Sequence, residues 1–504
     1  MNNDRMTNDA EANPFPDARR QSPAALIFFA IKVITGMVRQ WWPLLILIVA
    51  GNGSGRKIWM ALGLAALSAI LIIRSVISYF KFTFHLSGDA LEVARGVLGR
   101  QKISLPFDRI QAVNFEQDLI HQVLNVVKVK IDTAGSSKDE VSLAALTRAD
   151  AEALRDYVFA NKKDPISSET ETTDEEAPMF NTPWLSLSVK DLLKVGLGQN
   201  HIRTALIIIG FFFSIANRLE DAIGWNAEDT YYTIVGAETD SWINMALIAL
   251  SFFLVVSIAF SMGRTVLRYF GLRLWRTARG YRLTAGLLQR REQQVIFPKV
   301  QLARGKRTIL ERLLKQHTFT LKQASSKSTG GGNFVVPGLS SEHVSKLLKP
   351  IFGDALAADS DKLVISPLYR WRLILRTGVL PAAVLAIAGY FTQNWELIPL
   401  AAFWLAIRFW WSFRFCSTFN ISLNNEILAV ERGVFTRSRD VLAYYKIQAV
   451  TLRQSPYQRR KQLGSLTLHT AGGDLQMPFL PLAHAVALED YFLYVVESDQ
   501  RPWM

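Results

Sequence analysis

One cysteine in 504 residues, Cys416, excludes an internal disulfide framework. It sits in an apolar, aromatic run and reads as packing filler. The seven histidines are scattered, and none pairs with a second histidine or a cysteine at ligand spacing, so no metal signature appears. No Gly-x-Ser-x-Gly elbow lies between a strand and a helix. Gly51-Asn-Gly-Ser-Gly-Arg-Lys57 lacks the spacing of a phosphate loop. The first 22 residues hold no secretory apolar core, and no small-residue cleavage site follows the first apolar run. These absences leave no catalytic constellation, so no enzyme activity, metal or cofactor is expected.

Half of the residues are hydrophobic and one fifth charged, the formal charge is +14, and mean hydropathy is +0.15 with a pI near 9.7. The balance is too apolar for an ordinary soluble chain and too polar for one made mostly of spanning helices. Six segments approach the 20 or so apolar residues that a membrane helix needs, and they come in pairs: 24–50 with 58–79, 202–216 with 243–262, and 373–391 with 397–411. Each pair predicts a helical hairpin. In the first, Lys32 and Arg39 interrupt the leading segment, which therefore either crosses the bilayer with its bases snorkelling or lies interfacial or re-entrant.

Basic residues near helix ends set orientation. Arg74, Lys81, Lys190, Lys194, Arg203, Arg264, Arg268, Arg273, Arg370, Arg372, Arg376, Arg408 and Arg414 all flank one side of the pairs, and Arg56 and Lys57 in the first turn are a minor violation. The Leu219–Ser241 connection holds six carboxylates and no Lys or Arg. That connection is expected outside, with both termini and residues 80–200, 264–370 and 412–504 in the cytosol. The acidic stretch Asn161–Pro178 has almost nothing to bury and is expected to be disordered.

After each hairpin the chain turns to alternating, β-rich patterns, and three stretches repeat. Gly96, Gly286 and Gly433 each follow a strand-like run; Arg109, Lys299 and Lys446 come 13 positions later; Gln111, Gln301 and Gln448 follow after one aliphatic residue. The glycines predict a strand end where φ is positive or backbones approach closely. A second strand holds 103–105, 295–297 or 441–443, and the basic-aliphatic-Gln step opens a third. Each repeat ends in an amphipathic helix, at 149–159, 341–351 and 483–496. The spacing from Gln448 to Leu463 exceeds that from Gln111 to Leu124 by two residues, so unequal lengths are expected.

The order Arg-Gly-Val-Phe…Tyr-Tyr-Lys-Ile-Gln-Ala-Val-Thr-Leu-Arg-Gln-Ser-Pro-Tyr-Gln-Arg…Leu-Thr-Leu-His-Thr-Ala-Gly-Gly at Arg432–Gly473 resembles the bacterial pleckstrin-homology (PH) domain of the YdbS/YdbT-like membrane proteins. The likeness is strong in the third repeat, fair in the first and weak in the second, which lacks the Gln-Ser-Pro step and the Thr-Ala-Gly turn. It implies three membrane hairpins, each followed by a cytosolic PH-like β-barrel with a C-terminal helix. The expected division is a polar tail at 1–22, hairpins at 23–79, 184–267 and 367–411, PH-like domains at 80–160, 268–353 and 412–498, and linkers at 161–183 (acidic) and 354–366. It also implies, as partners, membrane lipids together with either a smaller PH-domain membrane protein or a second copy.

Basic clusters are the remaining signal: Arg290 with Arg291; Arg304, Lys306 and Arg307; and Arg459, Arg460 and Lys461. They either face anionic headgroups, at about 1 kcal/mol per residue, or form a solvated rim. Nucleic acid is not expected, since no aromatic-interleaved RNA signature accompanies them. The expected role is a non-enzymatic scaffold of the bacterial plasma membrane, whose PH-like domains bind partner proteins, each other or anionic lipid. The alternative is an accessory subunit of a transport, export or antimicrobial-resistance system. In a Cys416→Ser background, Ser241→Cys should react with an impermeant maleimide on intact cells; absence of labelling would overturn the proposed orientation.

Overall fold

The structure is a computed structural model and describes residues 13–28, 30–31, 35–36, 54–96, 99, 101–133, 141–161, 182–199, 201–223, 242–323, 333–356, 358 and 360–501. Most of the first membrane segment and of the acidic stretch at 161–178, together with residues 224–241 of the acidic connection, lie outside these. The chain divides into two compact units. One takes its described residues from 1–183 and 274–294; the other takes them from 184–273, 295–324 and 333–504.

In the first unit, helix α1 (Ser54–Lys81) leads into repeat 1. Strands β1 (Thr83–Ser87), β2 (Ala90–Arg95) and β3 (Gln101–Pro106) form one antiparallel sheet. Strands β4 (Ile110–Asp118), β5 (Val126–Thr133) and β6 (Val141–Thr147) form a second. Val126-Val-Lys-Val-Lys-Ile-Asp-Thr133 alternates buried and half-buried side chains, as period two requires of a strand with one face in a core. Helix α2 (Arg148–Ala160) starts where the Thr147 hydroxyl accepts from the Asp150 N–H, at 3.1 Å. It buries Ala151, Leu154 and Val158 among the strands. The polar tail also reaches this core: Phe15 is 1% exposed, and its carbonyl accepts from the Leu86 N–H at 2.9 Å.

In the second unit, α3 (Val189–Leu197), α4 (His201–Ile223) and α5 (Trp242–Tyr269) precede repeat 2. Ser257 on α5 donates its hydroxyl to the His201 carbonyl at 2.7 Å. Repeat 2 then divides between the units. Strand β7 (Arg273–Thr277) apart from its first residue, β8 (Gly280–Ala285) and most of β9 (Gln289–Ile296) belong to the first. Strands β10 (Val300–Arg307), β11 (His317–Gln323), β12 (Asn333–Leu339) and helix α6 (Ser341–Phe352) belong to the second.

The third hairpin is α7 (368–391) and α8 (Leu397–Ser417). A π-turn at Leu375–Val379 loosens α7, and α8 occupies it: Trp404 donates to the Thr377 carbonyl and Arg408 Nε to the Thr377 hydroxyl, both at 3.1 Å. Repeat 3 follows with β13 (Asn420–Leu423), β14 (Ile427–Arg432), β15 (Arg437–Ala443), β16 (Ala449–Arg453), β17 (Leu463–His469), β18 (Leu475–Pro481) and α9 (Leu482–Ser498). Among the described residues, Ile248–Tyr269 and Leu368–Phe391 are long and apolar enough to cross a membrane. Their exposed Val255, at 65%, and Phe391, at 79%, suit lipid rather than water.

Two expectations change. No closed barrel forms among the described residues: each repeat lies as two three-stranded halves, and halves of consecutive repeats join into longer sheets. The reason is that the third strand of repeats 2 and 3 finds its second partner in the preceding repeat. The repeats also do not differ in length here. Asn125, Lys315 and Gln462, all left-handed, each fall 29 residues after the repeat glycine. Val126, not Leu124, is the counterpart of Leu463, since both open the following strand.

The glycines have φ of +117°, +113° and +118° at Gly96, Gly286 and Gly433. A Cβ would lie 2.0 Å from the Gln289 carbonyl oxygen at Gly286 and 2.0 Å from that of Thr436 at Gly433. Gly433→Ala should therefore lower stability by about 2 kcal/mol or more, read as a fall in the thermal midpoint of the detergent-purified protein; an unchanged midpoint would show the turn to be tolerant.

Candidate functional site

Among the described residues, the joints between repeats hold two buried carboxylates, Glu292 and Asp440. In the first unit, β9 of repeat 2 pairs antiparallel with β4 of repeat 1, Arg290 facing Gln117 and Arg291 facing Glu116. In the second, β15 of repeat 3 pairs with β10 of repeat 2, Arg437 facing Arg307 and Asp440 facing Arg304. Counted from the glycines, the register is the same: the fourth residue after the later glycine faces the twenty-first after the earlier one.

Each joint holds a buried carboxylate clamped by arginines from both repeats. Glu292, 6% exposed, accepts from Arg148 at 2.7 Å, Arg155 at 2.9 Å and Arg282 at 2.8 Å. Arg148 and Arg155 both sit over the Phe115 ring, 5.3 and 5.2 Å from its centre. Asp440, fully buried, takes a two-pronged contact from Arg304, at 2.6 and 3.0 Å, and a third from Arg432 at 3.3 Å. The sequence reading identified neither carboxylate; each is a lone acid in a basic strand, visible only once its partner strand is known.

The repeat-defining residues occupy one backbone step in three surroundings. Arg109, Lys299 and Lys446 each end a 3-10 turn. Arg109 is exposed and Lys299 half-buried. Lys446 is 1% exposed, and its Nζ donates to the Pro298 carbonyl of repeat 2 at 2.5 Å. Burial, with Arg501 adding repulsion, pushes its ammonium pKa down to about 8. Gln111 is the second residue of β4 and Gln301 the second of β10, while Gln448 directly precedes β16. Gln301 is buried and Gln448 exposed.

The basic clusters separate. β9 begins at Gln289, earlier than the apolar pattern indicated, so Arg290 and Arg291 lie within a joint strand. Polar residues form strand there because the neighbouring repeat supplies the pairing. Arg459 and Arg460 end the one-turn helix Pro456–Arg460, and Lys461 caps it; all three are exposed. Its capping box, Ser455 with Gln458, has a counterpart in Thr308 with Glu311. The step that repeat 2 lacks by residue type is thus present in function, and S/T-x-x-E/Q was the legible signal. Arg304 is taken up by Asp440, whereas Arg307 opens onto a cavity.

That cavity, about 640 Å³, lies between repeats 2 and 3 within the second unit. Phe319, Val344, Leu348 and Leu356 give it apolar walls. Ser417 and Thr418 border it where α8 ends. Arg307 and Arg437 line it from facing strands as a like-charge pair, while the carboxylates in the lining, Asp354 and Glu431, are paired with Lys349 and Arg439. Burial and the positive charges of Arg437 and Arg307 hold the guanidinium pKa of nearby Arg312 below its usual value. His317, also in the wall, is pushed down to about 4 by burial and Arg307, so it stays neutral near pH 7. Among the described residues no three His, Cys, Asp or Glu side chains gather as a metal ion would need. The arrangement can hold a negative group beside an apolar one.

The bacterial PH domain family matches three times, over residues 28–162, 221–354 and 366–495, and the chain belongs to that family. The chain is YdbT-like, a membrane protein with repeated bacterial PH domains. It is 22% identical over 325 residues to the UPF0699 transmembrane protein YdbT of Bacillus subtilis (strain 168), a stretch covering 63% of this chain and 64% of that protein. The chain thus spans less than two thirds of that relative's length. No solved structure matches it.

Asp440→Ala should cost on the order of 3 kcal/mol, because it strands two partly buried guanidinium groups. The thermal midpoint should fall accordingly, and Asp440→Glu should restore part of it. An Asp440→Ala protein as stable as the parent would show the clamp to be dispensable.

Proposed function

We propose that this chain is a non-enzymatic, multi-pass scaffold of the bacterial plasma membrane, whose cytosolic PH-like repeats bind one another and seat an anionic lipid headgroup. The paired Arg307 and Arg437 above an apolar wall carry the reading. The cavity is bordered by the end of α8, which packs on the membrane-capable α7, and on this reading it lies within reach of headgroups. Two guanidinium groups facing each other attract a phosphate far better than either would alone, and the apolar wall accepts the first methylenes of an acyl chain. The exposed Arg459, Arg460 and Lys461 add attraction to an anionic surface without a pocket of their own. The positive-inside pattern supports a cytosolic position for both termini.

The double variant Arg307→Gln/Arg437→Gln, purified in mild detergent, should retain about a tenth or less of the anionic phospholipid held by the parent, measured by mass spectrometry of co-purified lipid. Zwitterionic lipid should be unchanged. Equal anionic retention would refute the headgroup seat, and a solute-dependent rise in the parent's thermal midpoint would favour the transport-accessory alternative.

A further inference from the structure

Both joints obey one rule: the third strand of a repeat pairs with the fourth strand of the repeat before it. Applied to the whole chain, the rule leaves two strands over. Strand β3 of repeat 1 and strand β16 of repeat 3 are the two that find no such partner among the described residues. Among the described residues β3 pairs only with β2, and β16 only with β17.

Burial registers the difference. Val450 on β16 is half-buried, whereas its counterparts Val113 and Ala303 are 3% and 0% exposed. Ser104 on β3 is exposed, whereas its counterparts Gln294 and Val441 are half-buried and fully buried. An open edge carries a row of unpaired N–H and C=O groups that another strand can satisfy.

We propose that β16 of one copy pairs with β3 of a second copy, extending the joint between molecules. The occupant follows from continuity with the two joints within the chain. Carried over, their register sets Gln101 against Arg453, Lys102 against Leu452 and Ile103 against Thr451. No like charges face each other. The Ile103–Thr451 position corresponds to Asp440 against Arg304 in the second joint and falls at Asn114 in the first, where the Gln294 N–H donates to the Asn114 side chain at 3.4 Å. In the proposed contact this position carries no charge, and its two β-branched side chains suit a strand pair. Pro106 lies beyond the stretch paired in either joint. The contact is head-to-tail, so it builds a ring where the rotation closes and a filament where it does not. It stands on strand geometry and needs no lipid in the cavity.

Disulfide capture in native membranes tests it. Two differently tagged full-length copies are co-expressed in a Cys416→Ser background, one with Ile103→Cys and the other with Thr451→Cys. Mild oxidation should give a reducible dimer carrying both tags, and a copy with both cysteines should give a ladder. Thr451→Cys with Thr467→Cys, facing within β16 and β17, should close inside one chain and shows that the edge is folded and reactive. The proposal is overturned if that control closes while no mixed-tag dimer forms. It is equally overturned if the double-cysteine copy links only to itself, or if either cysteine is captured by a different protein. Headgroup retention is read at another site, so it separates failure here from failure of the scaffold reading.

Discussion

An edge strand cannot leave its outward N–H and C=O groups both buried and unpaired, and in this protein each repeat meets that demand with the next repeat's strand. The third strand of every six-stranded repeat has one neighbour of its own and needs another. Pairing β9 with β4 and β15 with β10 supplies it twice, in one register. Much else depends on this. Closure of each repeat into a separate barrel is given up, repeat 2 divides between two compact units, and charged side chains are drawn into positions where only a neighbour can neutralise them.

The buried carboxylates act on specificity more than on net stability. Desolvating Glu292 or Asp440 costs several kcal/mol, and the arginine contacts roughly return it. A slipped register, however, would leave the acid without its guanidinium groups. A one-residue slip would turn Glu292 to the opposite face of its strand, away from Arg148 and Arg155. The clamp therefore penalises wrong pairings, which matters in a chain with three similar repeats and several interchangeable strand edges. The same packing sets Arg307 opposite Arg437 in a cavity whose carboxylates, Asp354 and Glu431, pair with Lys349 and Arg439, so the proposed anion site is a by-product of joining two repeats.

Much of the fold was legible because its signals are local. The glycine, the basic-aliphatic-Gln step and the C-terminal helix recur at fixed spacing, and each reports a backbone need met within a few residues: a left-handed φ, a 3-10 turn, an apolar helix face. Apolar segments long enough for a bilayer are equally local. What escaped was set by distant partners. Arg290 and Arg291 looked like surface charge, yet they lie in a strand whose second edge belongs to repeat 1. Phe15 in a polar tail gave no sign of docking on β1. The capping box at Thr308 and Glu311 was readable and was hidden by comparing residue types instead of roles.

The sequence by itself determined that this is a membrane chain of three repeated units, because hydropathy, charge at helix ends and internal spacing each act through nearest neighbours along the chain. Only the tertiary structure decided that the units share sheets, that Asp440 and Glu292 are the charges that bind them, and that a cavity with two facing arginines opens between repeats 2 and 3. Those features depend on which strand edge meets which, and an edge is chosen by pairing across more than a hundred residues, where no local periodicity reaches.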